Sequence, residues 1–94
     1  MNPESIIKLI ETNFQSTETV TVSIDIYESS TPDGVALFAA IISYRWLSVR
    51  ADRWIVGKRT CEPVQSLPEC RANAYNFVKK FLGIDFTNLD TKES

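Results

Sequence analysis

From Val20 to Tyr27 the chain alternates without a break. Val20, Val22, Ile24 and Ile26 point one way, and Thr21, Ser23, Asp25 and Tyr27 point the other. A period of two builds a β-strand with one buried face, whereas a helix would scatter the same apolar residues around its circumference. The alternation predicts a half-buried strand over Thr19–Glu28. A turn over Ser29–Gly34 follows, where Pro32 presets one torsion and Gly34 permits a positive one. Val35–Val49 reads as a second strand, long enough beside the usual five or six residues to require a bend or bulge near Ala39-Ala40. Arg50–Arg53 is a polar turn, Trp54–Cys61 a third strand, and Glu62–Gln65, with Pro63, a loop.

Two helices are expected around these strands. Asn2-Pro3-Glu4 has the chemistry of a helix start, and Ile6, Ile7, Leu9, Ile10 and Phe14 recur at helical spacing, which predicts a helix over 3–14. Ser66-Leu67-Pro68-Glu69 is a capping box. Leu67, Cys70, Ala74, Phe77, Val78, Phe81 and Leu82 form one face of the helix it opens, and Gly83 supplies a left-handed end. The expected fold is α+β: a three-stranded antiparallel sheet in the order 1-2-3, with N- and C-terminal helices on one face. A single α-β-β-β-α domain is expected over 1–87, with Ile84 and Phe86 tucked onto the core and a frayed polar tail over 88–94.

The ends of the chain and its middle differ in charge. Residues 1–44 carry six acids against one base, and residues 45–80 carry eight bases against three acids. Trp46 and Trp54 lie inside the basic segment. If the first strand runs out opposite residue 44, the hairpin from Arg45 to Trp54 projects as a two-stranded arm. Its expected partner-binding residues are Arg45, Trp46, Arg50, Arg53 and Trp54, since Trp and Arg dominate binding hot spots. Strand two also offers two faces: Phe38, Ala40, Ile42, Tyr44 and Trp46, or Leu37, Ala39 and Ile41. With the aromatic set turned toward the helices, Leu37, Ala39 and Ile41 form an apolar stripe on the other face, where self-association as a homodimer is expected.

Other chemistry has little to work with. The chain has no His, which removes the commonest acid–base group near neutral pH and denies Cys61 and Cys70 an imidazole partner. Two thiols do not complete a zinc site. No enzyme activity, cofactor or metal is therefore expected. Gly57-Lys58-Arg59-Thr60 resembles the end of a phosphate-binding loop, but the position five residues earlier is Asp52 and the context is a strand. No signal segment or membrane span is evident, so the expected compartment is the cytoplasm, with both cysteines reduced.

The order helix, three strands, helix resembles the double-stranded RNA-binding domain in topology. That resemblance implies a nucleic-acid role; independently of it, arginines interleaved with Trp46 and Trp54 suit a surface where charge binds phosphates and indoles stack on bases. The family opens its second helix with a lysine run, where this chain has Pro68-Glu69-Cys70-Arg71. Its first hairpin loop carries a Gly-Pro-His type sequence, where this chain has Thr31-Pro32-Asp33-Gly34. The layout is also similar to that of small acidic proteins of phages and mobile elements, some of which act as inhibitors by occupying a partner's surface. The leading expectation is a non-enzymatic protein-binding module, an inhibitor or adaptor; nucleic-acid binding is the alternative.

Overall fold

A computed structural model describes residues 7–84. Strands β1 (Lys8–Ser16), β2 (Val20–Ser30), β3 (Ala36–Ser48) and β4 (Arg53–Val64) are followed by helix α1 (Leu67–Leu82). The strands form one antiparallel meander in the order β1-β2-β3-β4. This corrects the expected three-stranded sheet with two helices: the described part of the segment assigned to an N-terminal helix, 3–14, is an edge strand from Lys8 onward. The helix start at Asn2–Glu4, Phe86, the domain limit at 87 and the tail 88–94 lie outside the described residues.

The physical reason for the error is a β-bulge. Leu9 pairs with Tyr27 and Glu11 with Ile26, so the register shifts across Ile10. Leu9 therefore faces away from the helix, Ile10 packs against the core, and Phe14 faces away again opposite Ser23. A bulge breaks a period of two into something that mimics helical spacing. The turn into β2 also lacks Gly, Pro or Asn. Thr17 makes it instead: its N–H donates to the Val20 carbonyl at 2.7 Å, and its Oγ1 accepts the N–H groups of Thr19 and Val20 at 3.3 and 3.0 Å.

The central hairpin follows the alternation. Val22, Ile24 and Ile26 of β2 are fully buried, as are Ala40 and Ile42 of β3. Phe38, Tyr44 and Trp46 share that face, and Leu37, Ala39 and Ile41 occupy the opposite one. Ala36 pairs with Ser30 and Trp46 with Val20, and the N–H of Leu47 still reaches the Thr19 carbonyl at 2.8 Å. The five-residue loop 31–35, with Gly34 at φ +91°, sets this register. The predicted bulge near Ala39 exists, in the partner strand: Phe38 pairs with Val64 and Ala40 with Cys61, so β4 runs on through Pro63, which had been assigned to a loop.

Helix α1 lies across the inner face of β2, β3 and β4. Ser66 caps it, its hydroxyl accepting the Glu69 N–H at 3.3 Å, and Gly83 ends it at φ +76°. Cys70, Ala74, Tyr75 and Val78 fill the layer between helix and sheet, with Ile84 closing its end. With four strands, and with no N-terminal helix among the described residues, the topological basis of both resemblances, to the double-stranded RNA-binding domain and to the phage-type layout, is removed.

Candidate protein interface

One helix covers one face of the sheet, and among the described residues no element covers the other. The register assigns that outer face row by row. Leu9, Tyr27 and Ala39 lie side by side, followed by Thr12, Asp25, Ile41 and Thr60, and then by Phe14, Ser23, Ser43 and Lys58. Ser16, Thr21, Arg45 and Val56 come next, and Leu47 beside Trp54 ends the series. Across these rows the charged residues are Asp25, Arg45 and Lys58. Asp25 accepts a hydrogen bond from the Thr12 hydroxyl at 2.9 Å. Phe14 is 60% exposed and Val56 76%, and Ile7 and Leu9 are also exposed. A depression of about 390 Å³ lies among Ile7, Tyr27, Ala39, Ile41 and Pro63.

The residues expected to bind a partner are not one arm. Because β2 pairs with β3 as far as Trp46, the hairpin ends almost level with the sheet, and only the turn between Ser48 and Arg53 goes beyond it. That turn is tight: the Asp52 N–H donates to the Ser48 carbonyl at 2.7 Å, with Asp52 at φ +56°. Arg50 and Arg53 flank it and are exposed. Arg45 and Trp54 lie together on the outer face, the guanidinium carbon 4.8 Å from the indole centroid. Trp46 is on the inner face with Val20, Phe81 and Leu82, around a recess of about 220 Å³. Leu37, Ala39 and Ile41 are half-buried on the outer face.

The inner face carries two groupings that sequence reasoning missed. At the β1 side, Glu11 meets Arg71 of the helix: Nε donates to Oε2 at 2.8 Å and Nη2 to Oε1 at 2.8 Å. The hydrogen bonds from Arg71 hold the Glu11 carboxyl below its ordinary pKa, against the opposing effect of partial burial. No signal in the sequence links two residues 60 positions apart once the first is placed on a helix. At the β4 side, the Arg59 guanidinium lies 4.8 Å from the Phe77 centroid. Phe77 stacks on Phe81 at 5.2 Å, and Tyr44 meets Phe81 edge-on at 5.3 Å. Gly57 pairs with Tyr44 across the ladder and leaves its inner side free for the phenol ring.

Beside this aromatic wall runs a groove of about 450 Å³, bounded by the consecutive β4 residues Arg59–Val64 and by Asn73 and Phe77 of the helix. Burial raises the Cys61 thiol above its ordinary pKa, and does the same to Cys70, to which Cys61 adds a further upward push. Both are free thiols, Cys61 half-buried and Cys70 buried, and the upward shifts favour their protonated forms. Among the described residues no group of three or more His, Cys, Asp or Glu side chains is placed to hold a metal ion, and no helix is long and apolar enough to cross a membrane. Comparison with known proteins finds no matching family model, no matching curated protein and no matching solved structure.

Proposed function

We propose that this chain is a non-enzymatic, cytoplasmic protein-binding module whose contact surface is the outer sheet face, occupied by a second copy of the chain. The observation that carries the reading is the pairing of exposure with low charge: Ile7, Leu9, Phe14, Val56 and Trp54 all emerge on a face with three charged side chains across its rows. Four strands about 4.8 Å apart and five rows of outward residues about 6.8 Å apart give roughly 650 Å² per copy, or about 1,300 Å² for a pair. That falls inside the range of specific, stable interfaces. The face carries charges of both signs, Asp25 against Arg45 and Lys58, which favours pairing of two copies over repulsion between them. Cytosolic thiols remain reduced, which suits free Cys61 and Cys70.

The nucleic-acid reading has less support. Base-stacking surfaces set successive aromatic rings on one track, and Trp46 and Trp54 lie on opposite faces. Sedimentation velocity across a concentration series tests the dimer. A species of twice 10.7 kDa is expected by high micromolar protein, and Ile41→Lys and Phe14→Glu should each return the monomer. A wild-type monomer at about 500 μM, or dimers untouched by both substitutions, overturns the proposal.

A further inference from the structure

We propose that the free edge of β4, together with the groove between it and α1, binds an extended acidic segment of a partner protein by strand addition. β4 is the last strand of the sheet, so one side of its backbone has no neighbouring strand among the described residues. The groove runs along that side, bounded by six consecutive β4 residues and roofed by Asn73 and Phe77. A concavity lined by consecutive strand residues and a flanking helix matches strand-addition sites, where backbone hydrogen bonds supply affinity and alternate side chains enter the groove.

The charge of this edge selects its occupant. On β4, Arg53 and Arg59 stand against Glu62, while Lys58 belongs to the outer face opposite Ser43. Lys80 lies three residues beyond Phe77, in the last turn of the helix. Cationic side chains on an edge strand discourage pairing with another copy of the same edge, and they attract a strand of opposite sign. Arg59 is held over the Phe77 ring at 4.8 Å, which fixes a guanidinium at the groove wall instead of leaving it to sweep through solvent. A carboxylate entering there meets a planar donor fork. Phe77 and Val64 offer apolar contact for an adjacent aliphatic side chain, so the fitted segment alternates acidic and aliphatic residues.

The probe is a fluorescein-labelled octapeptide of alternating Glu and Val, titrated with the full chain at low salt. Saturable anisotropy in the micromolar to submillimolar range is expected, weakening at least tenfold in Arg59→Glu. The Lys-Val peptide should not bind. A Glu-Val peptide N-methylated at alternate residues keeps its charge but cannot join the ladder, and should lose at least tenfold. Amide shifts in the wild type should centre on residues 59–62, Val64, Asn73 and Phe77. Equal binding of the N-methylated peptide, equal binding of the Lys-Val peptide, or shifts centred on Ile41 and Phe14 would each overturn the proposal. So would no saturation at millimolar protein, or a single-stranded oligonucleotide that displaces the peptide at lower concentration. Arg59→Lys keeps the charge and loses the planar fork, and is expected to bind with intermediate affinity. Its matching the wild type would overturn the role assigned to the guanidinium.

Discussion

Gly57→Ala is expected to destabilise the protein even though glycine is a poor strand residue. A methyl group built on Gly57 falls within 2.6 Å of the Tyr44 ring and hydroxyl. The clash involves the far end of a side chain, so the backbone need not move, and the cost is what Tyr44 gives up by leaving. Tyr44 sits edge-on to Phe81 at 5.3 Å and tilted to Phe77 at 6.4 Å. Each such pair contributes about 0.5–1.5 kcal/mol beyond its area. Against this, replacing glycine stiffens the unfolded chain by about 0.4–1 kcal/mol. The balance is a net loss of roughly 1 kcal/mol, which lowers Tm by about 4–8 °C in a domain of this size. Urea denaturation of wild type, Gly57→Ala, Tyr44→Ala and the double variant measures it. In the Tyr44→Ala background the sign should invert, with Gly57→Ala now stabilising by about half a kcal/mol. A Gly57→Ala protein as stable as wild type, or one destabilised equally in both backgrounds, would refute the reasoning.

Two other outcomes follow from the inner face. The Glu11 carboxyl titrates below its ordinary value of 4.5 because Arg71 bonds its charged form. A depressed folded-state pKa contributes stability that is fully present above the unfolded value and lost as pH falls through the folded one. Glu11→Gln should therefore cost about 1 kcal/mol at pH 7 and progressively less as pH falls below 4.5, read from urea midpoints across the range; a cost independent of pH would count against the ion pair. Cys70 is 1% exposed and its thiol is held protonated. In native protein at pH 8 its alkylation should be slower than that of Cys61 and at least a hundredfold slower than in denaturant. Labelling of Cys70 at the denatured rate would contradict its placement under the helix.

Much of the sheet was legible because its signals are local. The alternation from Val20 to Tyr27 fixes a strand and its buried face, and Ser66 with Gly83 brackets the helix at Leu67–Leu82. The aromatic side of β3 turned inward because Phe38, Ala40, Ile42, Tyr44 and Trp46 must join Val22, Ile24 and Ile26. What was hidden depends on pairing. The β1 sequence Glu11–Ser16 does alternate, with Glu11, Asn13 and Gln15 against Thr12, Phe14 and Ser16, but polar residues on both sides mute the pattern, and the bulge at Ile10 adds a helical beat upstream. The projecting arm failed on loop length: five residues in the 31–35 loop slide β3 along β2 until Trp46 faces Val20.

β4 carries both proposed surfaces because a strand presents successive side chains to opposite faces. Lys58 belongs to the outer face opposite Ser43, and Arg59, its neighbour, belongs to the inner face over Phe77. A second copy closing over the outer face uses the direction normal to the sheet, whereas strand addition uses the in-plane hydrogen-bonding direction at its edge. The two contacts are therefore compatible in geometry, and a dimer would leave two cationic edges exposed. Their independence is measurable: Ile41→Lys should abolish the dimer while peptide affinity per chain stays within twofold, and Arg59→Glu should do the reverse. A peptide affinity that falls tenfold in the Ile41→Lys monomer would mean that the edge groove is completed by the second copy, and that one surface with two contributors replaces two separate ones.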